Sequence, residues 1–317
     1  MGDAWSLPDI RTPLGARADL YQRLREFMRV RDILEVETPT LCATATPDPN
    51  LHSLDTTLTL PDGRQRTLYL HTSPEYAMKR LLADGSGAIY QICKVFRDEE
   101  AGRVHNPEFS MLEWYRPHFD SRHMMDEIGE LLEWLGFRSP QRVTYEAIFR
   151  AVTGLNPHTC ATAELQLEAS KAGFASEQAE RSELLDFLFD HIRGDYMQDD
   201  SPYMVHDFPA CQAALARLRH DNWPVAERFE LFINDLEIAN GFYELNDSAE
   251  QRWRFLEENR IRKQNGRPQQ VLDEAFLAAL DALPECAGVA MGLDRLLMCM
   301  TGATCIEDVL PFVLDAK

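Results

Sequence analysis

Residues 95–115 read VFRDEEAGRVHNPEFSMLEWY, and they predict an antiparallel hairpin: strands over 88–99 and 109–116 joined by a polar loop. Side chains alternate between the two faces of a strand. Arg97 and Glu99 then share one face, and Phe109, Met111, Glu113 and Tyr115 share one face of the returning strand. An arginine, two carboxylates, a phenyl ring and a phenol line one side, with the loop Arg103-Val104-His105-Asn106 able to fold over them. Arg97 suits a phosphate or carboxylate through charge-assisted, bidentate bonding, and Phe109 suits stacking on a base. The competing reading is a solvent-facing polar strand with surface ion pairs, which contribute little.

On the N-terminal side, residues 17–32 space Leu20, Leu24, Phe27 and Met28 as a helix does. LEVETPTL follows as a short strand ended by Pro39. Residues 52–60 and 66–71 alternate as a hairpin about Pro61-Asp62-Gly63. Ser73-Pro74-Glu75 opens a helix, with Ser73 as N-cap and Pro74 in the first turn.

On the C-terminal side, residues 121–193 read as mostly helical, broken at Gly136, Pro140, Gly154, Pro157 and Gly173. Tyr203–Phe208 and the block 228–245 read as strands. Asp247-Ser248-Ala249-Glu250 is a capping-box pattern opening a long helix to about Asn265. A helix near 273–283 and a last amphipathic one from Met291 to Met300 complete the chain. Strands, then helices, then strands predict an α+β antiparallel architecture. The expected organisation is a flexible segment 1–16 and one catalytic domain 17–317, with a helical insertion at about 121–200.

Composition narrows the function. The chain has 317 residues and a formal net charge of −20. That disfavours a broad nucleic-acid surface, which needs cations to displace counterions, and docking on anionic membranes. Seven cysteines at wide spacing without a CxxC pair suggest reduced thiols in the cytoplasm. No apolar run is long enough to span a membrane. Gly2 and Ser6 match a loose myristoylation pattern without a second anchoring signal. Gly85-Ser86-Gly87 has Tyr90 where a dinucleotide fingerprint needs glycine.

Two further stretches carry chemistry. In RFELFINDLEIANGFYELND, residues 228–247, a turn at Asn234-Asp235 puts residue 232 opposite 237 and 230 opposite 239. Glu230 and Glu237 become diagonal neighbours, an arrangement that invites a divalent cation such as Mg²⁺. Strict alternation puts Glu237 opposite in face to Asn240, Phe242 and Glu244; a β-bulge at Ala239–Gly241 resets the parity. In AGVAMGLDRLLM, small residues precede Asp294-Arg295 at a helix start, where Arg295 can meet phosphate charge.

These stretches resemble motifs 1, 2 and 3 of the class II aminoacyl-tRNA synthetases: Pro39 after helix and strand, FRDEE…HNPEF, and GLDRL. SPEYAMKRL, HNPEFSMLEWY and EIANGFYELND are closer still to lysyl-tRNA synthetases, and the likeness covers about residues 17–314. About twenty residues precede the first helix, too few for the anticodon-binding OB-fold of those enzymes. The chain is therefore similar to their truncated paralogues, the elongation factor P–(R)-β-lysine ligases.

The resemblance implies an antiparallel sheet flanked by helices, a homodimer, and a cytoplasmic ATP-dependent, AMP-forming ligase. It would activate (R)-β-lysine and transfer it to a lysine ε-amine of elongation factor P, with tRNA not a partner. It implies ATP held by Arg97, Asp98, Glu99, His105, Asn106, Phe109, Glu237, Ile238, Gly292 and Arg295. Arg97 and Arg295 would be catalytic, and Phe109 and Arg295 would sandwich the adenine. Mg²⁺ would lie on Glu230 and Glu237. The amino acid would be met by Ser73, Pro74, Glu75, Glu113, Tyr115, Asn240, Phe242, Glu244 and Ala290. Lysyl-tRNA synthetases typically carry Gly at the place of Ala290 and Ala at that of Ser73, so these two are candidates for isomer choice. An adenylating ligase charging tRNA or a small acceptor, and a non-catalytic synthetase-like subunit, remain as alternatives.

Overall fold

The computed structural model describes residues 11–176, 179–199 and 201–312. The first helix, α1, spans Arg11–Arg29, so it starts at Arg11 rather than 17; a proline at position 13 is tolerated in a first helical turn. Leu20, Leu24, Phe27 and Met28 are fully buried along one stripe. Residues 1–10, including the Gly2–Ser6 pattern, lie outside the described residues.

Along the chain follow strands β1 (Leu34–Glu35), β2 (Leu41–Cys42), β3 (Asp55–Thr59) and β4 (Gln65–Leu70), helix α2 (Glu75–Ala83), and strands β5 (Ile89–Phe96) and β6 (Glu108–Pro117). Next are α3 (Ser121–Leu135), β7 (Gln141–Thr144), α4 (Tyr145–Thr153), α5 (Thr162–Lys171) and α6 (Arg181–Tyr196). Strands β8 (Tyr203–Pro209), β9 (Leu218–His220), β10 (Pro224–Ile233) and β11 (Leu236–Tyr243) precede α7 (Ser248–Gln264), α8 (Glu274–Leu280), β12 (Cys286–Gly292) and α9 (Leu293–Thr301). The chain groups into two compact units, one of residues 1–118 and 246–317, the other of 119–245.

In the first unit, β1, β5, β6 and β12 lie side by side, antiparallel except for the parallel β1–β5 pair. A separate sheet has the order β2-β4-β3. The expected strand LEVETPTL contracts to two residues of pairing before Pro39. The hairpin register sets Val95 opposite Phe109, Cys93 opposite Met111 and Gln91 opposite Glu113. On its far side β6 pairs Glu113 with Ala290 and Met111 with Gly292. Asp294, 1% exposed, fastens the unit: it accepts from the Ser110 N–H at 2.7 Å and pairs with Arg17 of α1 at 2.5 Å.

In the second unit, β11, β10, β8 and β7 are neighbours, and β9 pairs with β10. The insertion is helical as expected except for β7, which pairs in parallel with β8. Tyr145, Phe149, Leu185, Phe189, Val205, Phe208 and Phe232 form the centre of its apolar cluster. The β10–β11 hairpin turns through Asn234 and Asp235, both left-handed at φ 50° and 62°, a geometry that matches the twist of paired strands. Phe232 lies opposite Glu237, as expected, but Glu230 lies opposite Asn240 rather than 239.

Candidate active site

The motif hairpin of the first unit is a strand only to Phe96, so Arg97 and Glu99 are not strand neighbours. Arg97 keeps its place by donating its N–H to the Pro107 carbonyl. Its guanidinium lies 5.1 Å from the Phe109 ring centre, within 3.5 Å of Glu100. The Nε of Arg97 is buried without a hydrogen-bond partner among the described residues. Glu99 adopts a left-handed backbone, φ 65°, and points to Arg267, which grips both carboxylate oxygens at 2.8 Å. This pair holds the Glu99 carboxyl below its ordinary range.

The loop is fixed from both ends. The Asp98 N–H donates to the His52 carbonyl, and the Asp98 side chain accepts from the Glu99 N–H. Asn106 donates to the Glu108 carbonyl at 2.6 Å. Arg295, in the first turn of α9, reaches back to His105 Nε2 and the Val104 carbonyl. Gly292, at the N-terminal cap of α9, completes that corner. Arg97 covers the Phe109 ring on which the adenine is expected to stack.

A second cluster forms around Glu113, which is 1% exposed. Tyr115 Oη donates to Glu113 Oε1 at 2.7 Å, and Ser73 Oγ donates to Oε2 at 2.6 Å. Ser73 Oγ also accepts from the Glu75 N–H, but α2 begins one residue later than expected, with Pro74 rather than Ser73 at the N-cap. Burial first, and the nearby charge of Glu75 second, push the Glu113 carboxyl up to about 7. Cys93 lies beside it, its thiol raised to about 12 by burial and by the charge of Glu113.

In the second unit, the register of β10 against β11 slips between Leu231 and Phe232, leaving Ile238 as the extra residue of a bulge. The parity change is therefore present, but at Ile238, just before the expected Ala239–Gly241. Paired residues share a face, so Arg228, Glu230 and Phe232 lie on one face with Phe242, Asn240 and Glu237. Asn240 Oδ1 is buried without a hydrogen-bond partner among the described residues. Glu244 follows β11, bridges to Ala216 and is 2% exposed.

Glu230 and Glu237, expected to invite a cation, lie on one face of the hairpin. Arg228, two residues away on the same strand face, donates to the Glu230 carboxylate. Burial raises the Glu230 carboxyl, Arg228 opposes the rise and Glu237 adds to it.

The sequence pattern of the tRNA synthetases class II (D, K and N) matches residues 4–316. The chain belongs to that family. Among its relatives is an elongation factor P–(R)-β-lysine ligase of Mannheimia succiniciproducens, 46% identical, with 98% of this chain and 97% of the relative covered. Proteins of the same name from Haemophilus ducreyi and Haemophilus influenzae are 46% and 45% identical, over 94% of this chain and 93% and 94% of theirs.

As a class II synthetase-like protein the chain is an ATP-dependent ligase, and its residues suit that substrate: Arg97 presents a buried, unused donor to anionic oxygen. For Mg²⁺ the fit is partial. No group of three or more His, Cys, Asp or Glu among the described residues is placed to hold a metal alone. Mg²⁺ commonly takes one or two carboxylates and completes its shell from phosphates and water, which leaves Glu230 and Glu237 as the carboxylates to test. Among the described residues no helix is long and apolar enough to cross a membrane. Sequence reasoning missed Arg267, Arg228 and Lys79. Lys79 left a local signal, a glutamate four residues before a lysine, and Arg228 another, two positions before Glu230 on one strand face.

Proposed function

We propose that this synthetase-like chain is a cytoplasmic, homodimeric enzyme that activates (R)-β-lysine with ATP and transfers it to a lysine ε-amine of elongation factor P. The observation that carries the reading is the end-to-end similarity to ligases of that name. The acid-rich pocket of Glu75, Glu113 and Tyr115 supports it, because a substrate with two ammonium groups needs several acceptors.

In the first step a substrate carboxylate oxygen attacks the α-phosphorus. The new P–O bond forms the acyl-adenylate, and the bond to pyrophosphate breaks. Arg97 lies under the α-phosphate and the carboxylate, offsetting their repulsion. Arg295 meets the γ-phosphate and lets the adenine slide onto Phe109, displacing the Arg97 contact with the ring. Asp98, Glu99, His105 and Asn106 read the adenine and ribose end, with Ile238 and Gly292 shaping the walls. Glu230 and Glu237 would hold Mg²⁺, which would supply charge neutralisation at the phosphates. In the second step the ε-amine attacks the acyl carbon, AMP leaves with the C–O electrons, and the amine loses its proton. No protein nucleophile is needed. In the first unit Glu113 and Tyr115 meet the diamine beside Ser73, Pro74 and Glu75; Asn240, Phe242 and Glu244 of the second unit are contacts that the family resemblance implies.

Intact-mass measurement of elongation factor P after incubation with the enzyme, ATP and each lysine isomer tests the reading. A mass gain of one lysine residue, larger with the β-isomer, supports it; label moving to tRNA alone overturns it. Two predictions follow from the pocket. Glu113 must be ionised to receive an ammonium, and its carboxyl sits near 7. Affinity for the amino acid is therefore expected to fall about tenfold per pH unit below about 7. A flat KM for the amino acid between about pH 5.5 and 8 removes this role for Glu113.

The second concerns Ala290, the register partner of Glu113. Its methyl projects beside the carboxylate that takes the ammonium, and one carbon of shape is typically worth about 1–3 kcal/mol. Ala290→Gly is expected to narrow the preference for β-lysine over α-lysine by about tenfold. The ratio of kcat/KM for the two isomers decides it, and an unchanged ratio removes Ala290 from the choice.

A further inference from the structure

Lysine is almost never fully buried unless it is paired. The Lys79 side chain is 1% exposed, and its Nζ sits 2.6 Å from Glu75 Oε1, one turn back on α2. The Phe276 ring centre is 5.9 Å away, so the ammonium is roofed by an aromatic side chain rather than by water. No step of the reaction above uses this lysine. Burying it is costly, which makes its place beside the pocket informative.

The charges around Glu113 can be named from every element that packs on it. Helix α2 contributes Glu75 and Lys79, both felt by Glu113. The turn before α2 contributes the Ser73 hydroxyl and β6 the Tyr115 phenol. Strand β5 contributes Gln91, opposite in register, and the neutral Cys93 thiol. Strand β12 contributes the methyl of Ala290. Within the first unit the set holds two acids and one base.

We propose that Lys79 is a positioning residue: its buried ammonium is the fixed counter-ion of Glu75 and leaves Glu113 as the carboxylate that receives the substrate's ammonium. The inference rests on the lysine-like substrate proposed above. Lys79 thereby does two things. It holds the Glu75 carboxylate against the start of α2, and it lowers the repulsion Glu113 meets on giving up its proton. Without it, the charge of the part-exposed Glu75 acts on the buried Glu113 with no lysine to offset it, which favours the protonated form of Glu113.

Lys79→Met removes the charge and keeps most of the apolar bulk. Adding Glu75→Gln removes the acid that the lysine answers, so the double variant restores the charge balance. The measurement is pyrophosphate exchange dependent on the amino acid, followed across pH in the full-length chain. Lys79→Met is expected to raise KM for the amino acid about tenfold or more at neutral pH, with kcat within about threefold, and to move the acid limb of kcat/KM up by about one pH unit. The double variant is expected to return that limb to the wild-type position or below.

A folded Lys79→Met with the wild-type limb and KM overturns the proposal. So does a double variant whose limb stays as high as that of the single. If Lys79→Met does not fold, the double variant alone decides: a limb at or below the wild-type position supports the counter-ion role, and a higher one refutes it. Wild-type protein that shows no exchange with either lysine isomer overturns the substrate reading itself, before any variant is compared.

Discussion

Arg97→Ala is expected to slow adenylate formation by about 10²–10³, as is Arg295→Ala, with the fold retained in both. Fixed charge aimed at developing negative charge is typically worth about 2.7–4 kcal/mol of barrier. Arg97 has the clearest case. Its Nε is a buried donor without a partner in the protein alone, and its guanidinium rests on Phe109 at 5.1 Å, where a base can displace it. Arg295 is held by His105 and Val104 from the far side of the loop, so its loss also loosens the Asn106 corner. The Arg295 variant should therefore raise KM for ATP as well as lower kcat, whereas the Arg97 variant acts mostly on kcat. Pyrophosphate exchange with each variant checks this, alongside circular dichroism. Near-wild-type exchange in either one removes that arginine from the chemistry.

Asp294→Ala should be the most damaging single change to stability, at about 3–5 kcal/mol, the usual cost of stranding a buried charge. The aspartate is 1% exposed and serves two elements at once: the Ser110 N–H of β6 and the Arg17 guanidinium of α1. Its loss leaves Arg17, whose side chain is 15% exposed, facing only the Val309 carbonyl and the neighbouring hydroxyls of Tyr21 and Ser110. Replacing both charges, as in Arg17→Met with Asp294→Leu, should restore much of the loss, because an apolar pair of similar size is often neutral. Thermal melts of the two single variants and the double form the test. A double variant as unstable as the sum of the singles contradicts the ion-pair account.

Local patterns made most of the fold legible. The stripe Leu20, Leu24, Phe27 and Met28 is read off helical spacing and is fully buried. Asp247 was expected to open α7, and its side chain accepts from the N–H groups of Ala249 and Glu250. The Asn234-Asp235 turn fixed the pairing of 232 with 237. What failed was set at long range. The bulge falls at Ile238, although the glycine that usually favours such a kink is at 241; local propensity does not choose which residue yields. Glu99 turns left-handed without being glycine, because Arg267, 168 residues on, holds its carboxylate. The pairing of Glu230 with Arg228 was legible two positions back on the same strand face, but the pattern of acids drew attention to Glu237 alone.

Cys93 has a consequence for the enzyme's own survival. An acyl-adenylate is an acylating agent, and the nearest thiol is the first nucleophile it meets. Cysteine attacks as the thiolate, and a Cys93 thiol raised to about 12 by burial and the charge of Glu113 stays protonated at neutral pH. The Lys79 amine stands against Glu75 with its ammonium buried. The burial that surrounds Glu113 thus also blunts both of these neighbouring nucleophiles, so in the proposed reaction an activated acyl group would be left for an amine supplied from outside.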